Sequence, residues 1–337
     1  MTTSPAPQAP FDYWYGFPHA NYTEERLKIV SDYCNHLQEK ESHWKPYFKS
    51  DSEFPKPAQT NRFKSLVRKG IPPKLRPIVW KGLLDVQSVY KPGLYQNYLT
   101  THESSTSTAL HDIEADLNRT FPEHPLFHED ETINRLRRIL SAYSWHNPEL
   151  GYCQSLNCIA GMLILVYSDD EDAFWVLVQI INLLPNYHGK TMRDLRIDLK
   201  VMDHYLRKHV PDFHALLSKF SFTAEHICME WFLTLFGRDF PAEFSFRVWD
   251  VLFNEGWKTL FRVSLGICTK AIPTLRSQPS ASPIAVMRQF CLPLVEIDSV
   301  FDLGFQVRSF SRKGINQQRE NATKIVEQED AETARRR

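Results

Sequence analysis

From residue 109 to residue 310 the apolar side chains recur three and four positions apart, and no segment alternates as a half-buried strand would. That period leaves one way to bury a core, helix packed on helix. The helical segments run roughly over 109–120, 132–145, 153–167, 171–184, 194–209, 211–220, 224–236, 241–255, 257–271, 283–292 and 300–310. Two more precede them. One covers 21–40, with Asn21 or Thr23 as cap and Glu24 and Glu25 in its first turn. The other follows a Gly-Ile-Pro-Pro turn at residue 70, with Leu75, Ile78, Val79, Leu83 and Leu84 facing inward. The expected fold is all-α with about a dozen helices and no internal repeat. Residues 1–60 read as an N-terminal segment with one helix and a linker, 61–310 as a single domain, and 311–337 as a charged, mobile tail.

Composition narrows the function classes. Lys plus Arg and Asp plus Glu number 40 each, so no global field grips nucleic acid. Only 12 glycines argue against folds built on several glycine-rich cofactor turns. The cysteines at 34, 153, 158, 228, 268 and 291 form no CxxC pair, which fits reduced, buried thiols. The N-terminus lacks a basic region followed by an apolar run, and the most apolar stretch, 158–167, is about half the ~20 residues of a spanning helix. The expectation is a soluble, cytoplasmic protein without a transmembrane segment.

Several local patterns resemble sites. Between Phe54 and Leu84 there are eight Lys or Arg residues and no acid, either a face for an acidic partner or anionic lipid or a solvated helix end. Arg76 and Trp80 lie one turn apart, a spacing that allows the guanidinium to cover the indole. His188–Thr191 (HGKT) resembles the end of a phosphate loop, but Leu184 holds the place of the required glycine. His124 and His128 have metal-ligand spacing with Pro125 between them and no completing carboxylates, so no metal is expected. Cys153, with His146 upstream, is a weak nucleophile candidate, since a thiol opening an apolar helix is more often structural. The aromatic stripes at 173–178, 229–236 and 246–253 read as core.

Arg119 and Gln154 remain. Ile113, Asp116 and Arg119 are spaced three apart on one helix, so Asp116 can hold Arg119 across a turn. Pro122 ends that helix just beyond, which places Arg119 in its last turn near an open surface. An arginine held by a carboxylate yet able to project can meet charge that appears only in a transition state. It can equally be a surface ion pair worth ~0.3–0.5 kcal/mol. In HNPELGYCQSLN, Gln154 and Asn157 open the next helix, and a glutamine amide there can orient a water and contact a phosphate oxygen together.

These residues resemble the TBC domain, the catalytic module of GTPase-activating proteins for Rab small GTPases, in particular the compact members similar to growth-hormone-regulated TBC protein. Arg76 and Trp80 match its Arg-x-x-x-Trp; Ile113, Asp116 and Arg119 its Ile-x-x-Asp-x-x-Arg; Tyr152 and Gln154 its Tyr-x-Gln; and Arg247 to Asp250, with Phe253, Glu255 and Gly256, its RVWD…F.EG element. The resemblance spans about 70–310 and assigns 61–310 to the TBC domain. It implies that Arg119 and Gln154 act as catalytic fingers in a Rab active site, with Asp116, Tyr152, Asn157, Arg76 and Trp80 in support. It also implies no cofactor or metal of its own, GTP and Mg²⁺ belonging to the partner GTPase. Activity is then supplied to the Rab, with no independent hydrolase reaction. Membrane association would be peripheral, through the partner, with recruitment from the cytoplasm to endomembranes. Ser155 and Leu156 depart from the usual YCQGMN. The added hydroxymethyl beside Gln154 favours the helix but crowds the GTPase. A non-catalytic TBC scaffold that binds a GTPase or adaptor is the alternative.

Overall fold

The computed structural model describes residues 15–17, 23–50, 53–55, 57–102, 104–308 and 310–336. Its α-helices in the first half are α1 (Glu24–Glu39), α2 (Asn61–Arg68), α3 (Arg76–Leu83), α4 (Leu94–Thr101), α5 (Thr108–Leu117), α6 (Asp130–His146), α7 (Leu156–Ile164) and α8 (Asp170–Leu183). The second half adds α9 (Arg193–His209), α10 (Pro211–Ser218), α11 (Ala224–Leu233), α12 (Ala242–Glu255), α13 (Lys258–Ser277), α14 (Pro283–Cys291), α15 (Ile297–Gln306) and α16 (Arg312–Arg336). The all-α expectation holds. Among the described residues no helix is long and apolar enough to cross a membrane.

Helix starts follow local side chains. Thr23 caps α1 by accepting the Arg26 N–H (3.4 Å), Thr60 caps α2 through Phe63 (3.1 Å), and Ser107 caps α5 through Leu110 (3.2 Å). Asn21, the other cap candidate, lies outside the described residues, as does most of the 1–20 stretch. At the centre sit α7, all of whose residues are buried, and α12, buried everywhere except Asn254. A helix buried on every side belongs in the middle of a core, and any polar groups it carries must be paired there.

On α12 that pairing joins two motifs distant in sequence. Arg76 is wholly buried and donates to both Glu243 carboxylate oxygens (2.8 and 2.7 Å) and both Asp250 oxygens (3.2 and 3.1 Å). Asp250 also accepts from Trp80 Nε1 (2.8 Å) and the Ile71 backbone N–H (2.9 Å). The one-turn spacing of Arg76 and Trp80 thus serves a shared carboxylate. The expected stacking of Arg76 on Trp80 is replaced by a position over the Phe246 ring, 5.5 Å from its centre. Arg247 faces the other way, donating to Tyr33 (2.8 Å) and to the Arg68 carbonyl, while Glu255 pairs with Arg68 (2.5 Å).

The segment after Ser311, expected to be a mobile tail, is helical and docked on α9. Ile315, Ala322 and Val326 form a thin buried strip. Around it Arg193 pairs with Glu327 (2.9 Å), Arg196 with Asp330 (2.6 Å), Lys200 with Glu329 (2.5 Å) and Arg319 with the buried Asp198 (3.0 Å). Its charges are the glue, which hid the strip from a reading by hydropathy.

Removing one partner of a buried, fully satisfied ion cluster leaves the others charged and unpaired. Arg76→Ala is therefore expected to cost about 3–5 kcal/mol. The midpoint and slope of urea unfolding check it.

Candidate functional site

Helix α5 stops at Leu117, two residues earlier than Arg119 required to lie within it. Asn118 to Phe121 make a tight turn, with Arg119 N–H donating to the Asp116 carbonyl (3.1 Å) and Phe121 at φ +47°. Arg119 thus leaves the surface from a turn rather than from a helix. Its side chain is 73% exposed while that of Asp116 is 10% exposed, and Arg119 Nη1 lies 3.6 Å from Asp116 Oδ1. That separation attracts without locking the guanidinium down. The second oxygen of Asp116 accepts the Tyr152 hydroxyl (2.8 Å). Burial, then Asp116, pushes the Tyr152 phenol well above its usual range, so it stays a donor.

Gln154 also lies outside its expected helix, in the turn before α7, and is exposed. The link between the two turns is a buried hydrogen-bond chain. Thr120 Oγ1 donates to the Asp116 carbonyl (2.9 Å) and accepts from Asn157 Nδ2 (2.8 Å). Asn157 Oδ1 in turn accepts the Ser155 backbone N–H (3.2 Å). Packing reinforces it: a β-carbon on Gly161 would stand 3.0 Å from the Thr120 methyl and 2.9 Å from the Phe121 ring. The turns carrying Arg119 and Gln154 are therefore one unit, with both side chains projecting from it.

They share a cleft of about 200 Å³. Asp116, Ser155, Asn157 and Cys158 line it as well. So do residues that the sequence reading did not select, namely Met192, Leu233, Glu230 and Arg238. The last two form an ion pair (3.1 Å). Nothing in their local spacing points to Arg119, because tertiary packing alone brings them there. Arg76 and Trp80 are not among the lining residues; their place is the core beneath α12.

The residues of the competing patterns have other partners. Burial pushes the Cys153 thiol up and the His146 imidazole down, and His146 faces the Tyr98 hydroxyl (3.3 Å) within a cluster of Phe174 and Trp175. His124 contacts the Tyr15 carbonyl (2.6 Å) and accepts from Leu126 N–H (3.1 Å). Among the described residues no group of three or more His, Cys, Asp or Glu side chains forms a metal site. In HGKT, His188 is buried against the Leu233 carbonyl (2.9 Å), and burial holds it at about 4, so it is neutral at physiological pH.

Ser155 has φ +101° and ψ −27°, a conformation that favours glycine. It is not the helix-favouring substitution expected. The residue is buried at the wall of the cleft, and among the described residues its hydroxyl has no hydrogen-bond partner.

With this geometry in place, the comparisons agree with the motifs. The chain belongs to the Rab-GTPase-TBC domain family, whose sequence profile matches residues 73–273. It is 33% identical over 279 residues to TBC1 domain family member 2A of Bos taurus, covering 79% of this chain and 30% of that protein. To TBC1 domain family member 2B of Xenopus tropicalis it is 33% identical over 272 residues, covering 78% and 29%. The chain thus spans about a third of the length of these curated relatives. Among solved structures, the Chlamydomonas flagellar RabGAP TBC domain superposes with a TM-score of 0.74 at 26% identity, covering 86% of this chain and 97% of that one.

Replacing Ser155 with glycine relieves the backbone and removes an unpaired buried hydroxyl. Ser155→Gly is expected to stabilise the fold by about 1 kcal/mol, read as a higher urea midpoint at unchanged slope.

Proposed function

We propose that this chain accelerates GTP hydrolysis by a Rab-family small GTPase, supplying Arg119 and Gln154 to the partner's active site. The observation that carries the proposal is the chain Asp116–Thr120–Asn157–Ser155, which holds both turns in one unit while leaving both side chains exposed. Catalysis by fixed charges needs that combination, because groups oriented beforehand cost no reorganisation when the transition state forms.

In this reading Arg119 neutralises charge on the γ-phosphoryl oxygens as the bond to the leaving group breaks. Gln154 accepts a hydrogen bond from the attacking water through its carbonyl and donates to a phosphate oxygen through its amide. Asp116 and Tyr152 position Arg119, and Asn157 positions the Gln154 turn. Nucleotide and Mg²⁺ come with the partner. The protein would act from the cytoplasm, reaching endomembranes through the membrane-bound GTPase.

An arginine supplied in trans to phosphoryl transfer is worth ~10³–10⁵ in rate, or ~4–7 kcal/mol, far above the ~0.5 kcal/mol of a surface ion pair. Single-turnover hydrolysis across a panel of purified Rabs tests this directly. Arg119→Ala is expected to lower the stimulated rate about 10³-fold with an unchanged melting temperature, and Gln154→Ala to lower it substantially. Full stimulation by Arg119→Ala would overturn the mechanism. Rab binding without any rate increase by the wild type would favour the scaffold reading instead.

A further inference from the structure

The family profile begins at residue 73, yet three residues far upstream of it, Tyr15, Gly16 and Phe17, reach the turn that carries Arg119. The Phe17 ring makes T-shaped contacts with Phe121 and His124, centres 5.3 and 4.6 Å apart. His124 fixes the backbone of the segment. Its Nδ1 accepts the Leu126 N–H, so the ring proton lies on Nε2, which donates to the Tyr15 carbonyl (2.6 Å). Gly16 has φ +83°, and a β-carbon there would stand 2.8 Å from this doubly bonded ring, which leaves room for glycine alone. At its other end Tyr15 is anchored in the core. The hydroxyl accepts from Arg76 (2.6 Å), and the ring meets Phe246 edge-on at 4.4 Å. The segment therefore ties the buried ion cluster to the Arg119 turn.

What it holds there is strained. Phe121 sits at φ +47°, a left-handed conformation that a bulky residue keeps only where its surroundings enforce it. Its ring packs among Phe127 (5.4 Å), Gly161 of α7 and Phe17. The first two belong to the matched domain, and Phe17 is the wall that the upstream segment adds. Without that wall Phe121 is free to relax toward negative φ, and the rotation passes along the backbone to Arg119 two residues away. The contact of Arg119 with Asp116, at 3.6 Å, is too long for a hydrogen bond that would hold its direction independently. Phe17 does not line the cleft, so it acts through the turn and not on a partner.

We propose that Phe17, carried by the Tyr15–Gly16–Phe17 segment, is a positioning residue for Arg119: it keeps the Phe121 turn in its left-handed conformation and thereby sets the maximal stimulated rate of GTP hydrolysis. The effect on rate rests on the Rab activation proposed above, whereas the hold on the turn does not.

Hydrogen exchange on the full chain reads the hold, and single-turnover hydrolysis reads its consequence. The Arg119 and Thr120 amides, bonded to the Asp116 and Leu117 carbonyls (3.1 and 3.2 Å), report the turn. In Phe17→Ala they are expected to exchange about tenfold faster, with α7 and α12 protected as in the wild type. The maximal stimulated rate is expected to fall about tenfold, while the concentration for half-maximal stimulation stays within about twofold. Phe17→Leu, which keeps most of the apolar volume, should recover the larger part of both. Phe48→Ala removes another half-buried ring, packed on Phe54 at 5.0 Å, and should leave both readouts at wild-type values. Unchanged exchange in Phe17→Ala overturns the proposal. So does faster exchange with an unchanged maximal rate, a loss expressed only as a higher half-maximal concentration, or an equal effect of Phe48→Ala. If the wild type stimulates no Rab in the panel, the proposed activity is what fails, and exchange at residues 119 and 120 still decides whether Phe17 holds the turn.

Discussion

A guanidinium with no access to water lies between two carboxylates, and much of the domain is built to keep it there. Arg76 would be prohibitively costly in the core by itself, as would Glu243 or Asp250. Together, with Trp80, Tyr15 and the Ile71 amide completing their hydrogen bonds, they become a fastening between α3 and α12. Because the pairing is directional, it sets the rotation of α12 as well as its position. Arg247, one turn from Glu243, is then presented to Tyr33 on α1, and Glu255 to Arg68 on α2. One buried cluster therefore registers the N-terminal helices on the central helix.

The candidate site uses the same physics at smaller scale and for another purpose. In the core, polar groups are consumed by their partners. In the cleft, Thr120 and Asn157 are consumed so that Arg119 and Gln154 need not be. The division of labour explains why Thr120 and Asn157 are buried and uncharged while Arg119 and Gln154 are exposed. It also separates two kinds of motif residue: Arg76 and Trp80 maintain the fold, whereas Asp116, Tyr152 and Asn157 maintain the cleft.

Helical periodicity made the fold class legible, since a core buried by residues three and four apart has no other architecture open to it. The order of the motifs singled out Arg119 and Gln154, and the structure places both on one cleft. Their setting was not legible. The α5 helix ends without a glycine, so nothing in Leu117–Asn118–Arg119 marks the turn. Ser155 adopts a conformation in which glycine would have signalled a break before α7. Arg76 and Trp80 read as a local pair because the carboxylate they share lies 170 residues or more away. The docked α16 was missed because its buried strip, Ile315, Ala322 and Val326, is only three residues of 25 and gives almost no periodic signal among charged and polar side chains. Met192, Leu233 and Arg238 reach the cleft only through packing.

The spacing of the Arg119 and Gln154 turns depends on an atom that is absent. At Gly161 the α7 backbone runs against the Thr120 methyl and the Phe121 ring with no side chain between them. A methyl group there acts as a wedge, opening the Thr120–Asn157 contact and moving one turn relative to the other. Neither α5 nor α7 would need to unfold for that to happen. The separation of these two exposed side chains thus depends on the smallest residue in the chain, at a place that neither of them touches.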